Sequence, residues 1–586
     1  MRLLGFAVCL FSLTLVGCGA APQIAKLGAI GDHRSLRGRA EGAPPSSPEK
    51  PPLLYLALDG VGRSTLYELL RAGKLPNLAR LLGGAEGAGA ERAFPHAHFD
   101  ERMLSTLPSS TMAAWMTTLT GVGPAEHGVL GNEYFVREER TLACPAPVSF
   151  SAAAPTLEIY TEDYLDKLGS SPTAYERMRE KDPDVLIWVA MHSVYRGADK
   201  LLLAKKTVIA RAFEGFIEVE ATKHLADKES RRLYADLDEG VVERVVSDLE
   251  KGVLPDVLTL YLSGADLFAH VAEEGPDKAR SDYLEEVIDP LMAKLVVALE
   301  RRHALEGRWV VVGADHGHTQ VMHDDAHALA TKDGEDPPSV LGRIGFRVRP
   351  FKRSVAEKDP FSAVLAYGGA MAYVYLADRS GCPGEKDVCD WKQPPRYEED
   401  VLVAAEAFHK NNEDGSIVPA MRGALDMILV RKPKPYLQVD LPFEVYTGGG
   451  KTMAVDAWLK EHPHPTYVAV EARLRDLAVG VHGERAGDVL LLAHNGDREK
   501  PEERYYFAAP YHSWHGSPSK QDSELPFIVA SSAHGSAAIG TWVSRVLGDR
   551  PFQQKTTDIL GGLRAGAMGA AVSAKGAPRG PSSRLP

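Results

Sequence analysis

The chain alternates short, unbroken apolar runs with longer segments in which apolar positions recur every three or four residues. The first run, Leu53-Leu-Tyr-Leu-Ala-Leu58, has no polar side on either face, the mark of a strand covered by helices above and below. It ends in Asp59-Gly60. Ser64 then stands where it can cap a helix over Thr65 to Ala72, and Pro76 to Leu82 opens another. A helical period over Val241 to Leu249 leads to a second run, Val257 to Leu262, which enters Ser263-Gly-Ala-Asp266. An amphipathic segment, Tyr283 to Leu305, feeds a third, Trp309 to Gly313, which ends in Ala314-Asp315-His316-Gly317. Three times a buried strand delivers an Asp at its carboxyl end. Strands alternating with helices predict an α/β fold with a doubly wound, mostly parallel central sheet, and such sheets bind ligands at the carboxyl ends of their strands.

The pattern is less regular elsewhere. Residues 133–235 mix loops with a strand, Val185 to Ala190, and a polar, helix-rich stretch near 222–235. From 331 to 480 the texture changes. Ala363 to Tyr367 and Ala372 to Leu376 predict a strand pair, Glu398 to His409 a helix, and Tyr467 to Val470 a further strand; together they read as an α+β insertion. Gly487 to Ala493 reads as a return to the core and leads to Tyr511-His-Ser-Trp-His515-Gly516. The expected organisation is a catalytic core over 51–330 and 481–561, the insertion between, and an unstructured Ala/Gly/Ser/Pro-rich tail over 562–586.

At the other end, Arg2 precedes an apolar run of 14 residues, Leu3 to Val16, short for a membrane span and suited to a signal segment. Leu15-Val16-Gly17-Cys18 resembles a bacterial lipoprotein signal. Residues 1–17 are then removed and Cys18 carries the lipid, with 18–50 as a flexible tether; ordinary cleavage near Ala20-Ala21 is the alternative. Either route exports the protein, and the first makes it a cell-envelope lipoprotein, periplasmic or attached to the outer membrane, touching the membrane through that lipid alone. A net charge of -12 argues against a polymeric nucleic acid as partner, since phosphate-tracking proteins present a basic face. Of the five cysteines, Cys9, Cys18, Cys144, Cys382 and Cys389, the last two are spaced for a disulfide or for two free thiols. There is no CxxC pair to build a thiolate zinc site.

Candidate chemistry gathers at the strand ends. Thr111 lies at a loop-to-helix entry, in Pro108-Ser-Ser-Thr-Met-Ala-Ala-Trp, where free backbone N–H groups favour an anion; the helix after it, Met112 to Leu119, is closed by Gly121. Asp266 and His270 are four apart and share a face if helical. Asp315 and His316 are adjacent beyond a strand, and Asp59 and His515 complete the set. His318, His323 and His512 are near enough in sequence to replace any of the imidazoles. Oxygen and imidazole donors without thiolate suit two Zn2+ ions, with Mn2+ or another divalent metal as the alternative.

The order Asp59-Gly, Thr111 with Thr120-Gly121 beyond, His127-Gly…Asn132, Asp266-x-x-x-His270, Asp315-His316-Gly, His515-Gly resembles the alkaline phosphatase superfamily, most closely its type I phosphodiesterase/nucleotide pyrophosphatase branch. The resemblance covers 53–142, 255–322 and 485–530. It implies one zinc held by Asp266, His270 and His515, and another by Asp59, Asp315 and His316, with Thr111 as ligand and nucleophile. It further implies that Asn132, with the backbone N–H after Thr111, donates to a phosphate oxygen, and that a phospho-threonine forms during cleavage of a small phosphodiester or pyrophosphate. His127 and Gly128 are expected to shape the turn before Asn132.

Thr111 is not set in the Cys/Ser-x-Pro-x-Arg pattern of sulfatases, and no arginine stands beside it as in phosphomonoesterases of the superfamily. That favours diesters, unless Arg63, Arg102 or Arg137 enters from a loop. Tyr134, Phe135 and Tyr195 are candidates to stack on a base or line a headgroup pocket, with core packing as the plainer reading. The competing functions are a phosphomonoesterase, phosphonate or sulfate-ester hydrolase on the same residues, and a surface-anchored binding protein without turnover.

Overall fold

The computed structural model describes residues 20–36, 50–87, 92–149, 152, 154–209, 211, 227–329, 336–432 and 442–568. Two sheets organise them. The first has eight strands: β1 (His33–Ser35), β2 (Leu53–Leu58), β3 (Ala97–Asp100), β4 (Ile187–Ala190), β5 (Lys200–Leu202), β6 (Val257–Leu262), β7 (Trp309–Ala314) and, much later in the chain, β14 (Phe527–Ala530). Their spatial order is β1-β5-β4-β6-β2-β7-β14-β3. From β5 to β7 neighbours run parallel, and β1, β14 and β3 add antiparallel edges. Every residue of β2, β6 and β7 is buried, which is why these three strands are continuous apolar runs rather than alternating ones.

Register is what positions the site. Leu58 stands opposite Leu262 on one side and Ala314 on the other, so β2, β6 and β7 finish level with one another. Asp59 and Asp315, each the next residue, leave adjacent strands at the same height. Asp266 follows within the first turn of α4 (Gly264–Val271).

The second sheet is antiparallel throughout, with strands β8 (Ala363–Gly368), β9 (Met371–Leu376), β10 (Leu425–Arg431), β11 (Phe443–Gly448), β12 (Lys451–Ala454) and β13 (Val489–Ala493), in the order β8-β9-β13-β10-β11-β12. Two sequence expectations change here. The run ending at Ala493 is a strand of this second sheet, not a return to the first. An all-apolar strand reports burial on both faces, but not which sheet buries it. The strand expected over Tyr467 to Val470 is absent; Tyr467 makes an isolated bridge to Ser519, and Val470 begins a helix, Val470–Ala478, that buries Leu474 and Leu477. The three- and four-residue spacing of those side chains outweighs a brief apolar run.

Part of the expected tether is folded. Helix α1 (Ala20–Ile30) packs Leu27 into the core, and β1 pairs with β5 on the edge of the first sheet. The signal segment, Cys18 and residues 37–49 lie outside the described residues, as do residues 569–586 of the expected tail; a helix, Lys555–Arg564, runs past its expected start. Cys382 and Cys389 form a disulfide, and Cys144 is a buried free thiol. No helix among the described residues is long and apolar enough to cross a membrane.

Candidate metal centre and hydroxyl

Thr111 is the first residue of α3 (Thr111–Thr120), which buries every residue from Met112 to Thr120 and ends on Gly121 in the left-handed conformation, φ 74°. Its Oγ1 lies 3.2 Å from His316 Nε2. The N–H of Met112 donates to Asn132 Oδ1 at 3.1 Å. The N–H after Thr111 thus holds the carbonyl of Asn132, which fixes the orientation of that amide. His127 is fully buried; its Nε2 meets Thr117 Oγ1 at 3.0 Å and its Nδ1 accepts from Val129 N at 3.1 Å, so it braces the turn before Asn132.

The six acidic and imidazole residues singled out from sequence converge. Asp59, Asp315 and His316 bring one ligand atom each within 4.8 Å of one another, and so do Asp266, His270 and His515. All six are buried. The two groups adjoin, since His316 Nε2 is 3.5 Å from Asp59 Oδ1, 3.4 Å from Asp315 Oδ2 and 3.9 Å from Asp266 Oδ1, and the His316 and His515 rings stack at 3.6 Å. His318 also enters. Its Nε2 lies 2.8 Å from Asp266 Oδ1, and it forms a third candidate group with Asp266 and His316. His323 and His512 pack on each other and are absent from these groups.

The hydrogen bonds around the imidazoles decide their protonation. His270 Nδ1 faces the carbonyl of Ser513 at 2.8 Å, His316 Nδ1 that of Gly317 at 3.0 Å, and His515 Nδ1 that of Ser109 at 2.8 Å. A carbonyl only accepts, so each Nδ1 carries a proton, and a neutral ring held this way turns its Nε2 lone pair to the cluster. Ser513 Oγ donates to Ala269 O at 2.7 Å and therefore accepts from His318 Nδ1 at 3.0 Å, which fixes that ring in the same form. Four imidazole Nε2 atoms thus converge on three carboxylates, with a proton from Tyr261 on Asp59 and a contact of 2.8 Å between His318 Nε2 and Asp266. Asp59 Oδ1 and Asp315 Oδ2 are buried without any hydrogen-bond partner. Such a cluster is unfavourable unless a cation lies within it, and imidazoles oriented through backbone carbonyls are the usual supports of metal ligands. The donor set therefore fits divalent metal.

The electrostatics agree. Burial, then the charges of Asp315 and Asp266, holds the Asp59 carboxyl well above its ordinary range, and burial with Asp266 raises Asp315. Asp266 goes the other way: burial raises it, but His270, His318 and His316 outweigh that and lower it. Burial lowers His316 to about 3 and takes His318 and His515 well below the normal imidazole value, so all three are neutral donors at neutral pH.

Several supporting residues escaped the sequence reading. Tyr261, the penultimate residue of β6, donates its hydroxyl to Asp59 Oδ2. Asp238 accepts from Ser263 N at 3.1 Å and Gly264 N at 3.2 Å, holding the turn that aims Asp266. Asp522, fully buried, accepts from Ser517 N at 2.9 Å and Thr319 Oγ1 at 2.7 Å and ties the loop after His515 to the one after His316. Isolated acids at unremarkable spacings carry no signal, and nothing in the sequence marks Asp238 or Asp522. The arginines that were candidates to enter do not. Arg63 pairs with Glu524 at 2.6 Å, Arg102 with Asp100 at 3.2 Å, and Arg137 with Asp488. Tyr134 and Phe135 are core residues, and Tyr195 donates to Asp163 at 2.8 Å; none lines the cavity beside Thr111.

Gly60 is sterically indispensable. It has φ 68°, and a Cβ there would sit 2.7 Å from Asp266 Cβ and 2.8 Å from Asp266 Cα. Gly60→Ala is therefore expected to push α4 away from β2, lowering metal content and activity together; a variant with normal metal content by elemental analysis would contradict this.

Fold and site together define an α/β protein with a candidate metal centre at the carboxyl ends of its central strands. Residues 53–336 match the family model for type I phosphodiesterase / nucleotide pyrophosphatase, the branch of the alkaline phosphatase superfamily that the sequence motifs resemble. The chain is a hydrolase of the phosphodiesterase/pyrophosphatase type. No curated protein matches the chain. Among solved structures it is similar to murine ectonucleotide pyrophosphatase / phosphodiesterase 5, at 12% identity over 88% of this chain and 95% of that one, with a TM-score of 0.43. An inactive variant of that murine protein, in complex with AMP, gives the same identity and coverage with a TM-score of 0.44.

Proposed function

We propose that this protein hydrolyses small phosphodiesters or pyrophosphates through a phosphorylated Thr111, with Asp59, Asp315 and His316 holding one divalent metal ion and Asp266, His270 and His515 the other. One observation carries the reading: six buried metal-ligating side chains, two with orphaned carboxylate oxygens, close on the vicinity of a hydroxyl at the head of a helix. The oxygen and imidazole donors favour zinc. His318, touching Asp266, orients that carboxylate or exchanges with the other imidazoles as a ligand.

Bound metal would supply the charge that stabilises an alkoxide and the entering and leaving oxygens of an in-line displacement. The chain's own residues supply the rest. Thr111 Oγ1 attacks phosphorus, the bond to the leaving ester oxygen breaks, and that oxygen departs carrying a proton. Water then cleaves the phosphoryl-threonine, releasing a phosphomonoester and restoring the hydroxyl. Met112 N–H anchors the Asn132 carbonyl, so the Asn132 amide N–H group is left to donate to a non-bridging phosphate oxygen. No lysine or arginine is among the described residues lining the cavity, which suits the single negative charge of a diester better than the two of a monoester.

Asn132→Ala is expected to lower kcat by about 10²–10³-fold, as for loss of one oxyanion donor. The test of the whole reading is metal analysis coupled to rates on bis-p-nitrophenyl phosphate and p-nitrophenyl phosphate. A preference for the monoester would overturn the diester assignment, and a metal-replete protein inactive on both would favour the binding-protein alternative. Export as a lipoprotein anchored at Cys18 belongs to the same proposal; the disulfide between Cys382 and Cys389 supports an oxidising compartment.

A further inference from the structure

The cavity that reaches Thr111, Asn132, Asp266 and His515 has a volume of about 180 Å³, and the rest of its described wall is mostly hydrocarbon. Val148, Ile159, Met191, Leu237, Leu267 and Trp514 line it. Three of the hydroxyl-bearing residues of that wall face their polar ends elsewhere. Tyr160 OH donates to the carbonyl of Met191 at 2.8 Å, Thr156 Oγ1 to that of Pro145 at 3.1 Å, and Tyr261 OH to Asp59. Apart from Asn132 and the metal-ligating residues, the described lining includes no amide, acid or cation side chain. A polyphosphate needs cationic side chains and a nucleobase needs in-plane hydrogen-bond partners. The described wall offers no cationic side chain outside the metal-ligating residues, and few polar atoms, among them Ser193 Oγ and Trp514 Nε1, each buried without a partner.

Resting on the hydrolase reading, we infer that the preferred substrate is a phosphodiester bearing one uncharged apolar group, alkyl or aryl, which fills this cavity while the phosphate meets Thr111. Burying each methylene is worth about a fourfold gain in binding. Specificity thus rises with the hydrocarbon size of the group, not with its hydrogen-bonding pattern.

The test uses the metal-loaded enzyme and four p-nitrophenyl phosphodiesters that share a leaving group and differ in the second ester: methyl, hexyl, phenyl and thymidin-5′-yl. Expected kcat/KM for hexyl and phenyl exceeds that for methyl by tenfold or more, with thymidinyl no better than methyl. Leu237→Ser should cut the ratio of hexyl to methyl kcat/KM severalfold, with Leu237→Ala as the milder replacement should the serine variant fail to fold. Equal rates for hexyl and methyl, or a tenfold preference for thymidinyl, would overturn the inference. If none of the four is cleaved, the hydrolase reading itself fails. Hexyl and phenyl rates compared with each other separate alkyl from aryl substrates.

Discussion

Thr111→Ala is expected to lower diester turnover by about 10³-fold or more while leaving the metal content and the thermal transition where they were. The two halves of that expectation have different origins. Thr111 opens α3, but the hydrogen bond that organises the loop beside it runs from Met112 N–H to Asn132 Oδ1 and involves backbone and amide alone. The N-terminal turn therefore survives loss of the hydroxyl. The Thr111 side chain has its hydrogen-bond contact with His316, which also meets Asp59, Asp315 and Asp266. The other ligand atoms keep their positions without it. What disappears is the hydroxyl 3.2 Å from His316 Nε2, leaving water to attack directly from the same environment. An alanine variant that kept a tenth or more of wild-type kcat with bis-p-nitrophenyl phosphate would show that phosphorus is never transferred to Thr111.

Stripping the protein of divalent metal is expected to abolish hydrolysis and also to lower Tm by several degrees, both restored by adding metal back. The second effect follows from the cluster itself. Asp59, Asp266 and Asp315 are buried against one another and against imidazoles of which His316, His318 and His515 are held neutral by burial. Without a cation the folded state bears repulsion and desolvation that the unfolded chain escapes. At a thousandfold excess of metal over Kd, each ion contributes about 4 kcal/mol to the folded state. Differential scanning calorimetry with and without chelator reads the shift. A Tm insensitive to chelator, in a preparation shown to be metal-free, would mean that these carboxylates do not hold metal.

Much of the centre was legible in the sequence because of one physical regularity. A strand covered on both faces must be apolar throughout, so the first polar residue after it marks the carboxyl edge where ligands bind. Asp59 and Asp315 were found that way, and Asp266 from the turn that follows β6. His515 was not of that kind. It follows a two-residue strand, Ser513–Trp514, paired with Thr319–Gln320, and only its place in the family's order of motifs drew attention to it. Tyr134, Phe135 and Tyr195 show the opposite limit. Their side chains are compatible with stacking on a ligand, yet Phe135 packs edge-on against Trp391 at 4.8 Å and Phe361 at 6.1 Å. The second sheet supplies part of that packing, and no local pattern announces which aromatic residues it will cover.

By itself the sequence determined the local elements of the core, the polar groups at the ends of its strands, and through their order the family. These rest on short-range rules, the two-residue and near-four-residue periods and the capping preferences of helices. The tertiary structure alone decided that β13 belongs to the second sheet, that β14 and β3 complete the first, that Met112 N–H holds Asn132, and that the described cavity wall is mostly hydrocarbon. Each of those depends on which distant segments meet, and contacts across hundreds of residues are selected by total burial and complete hydrogen bonding of the folded chain, quantities that no window along the sequence contains.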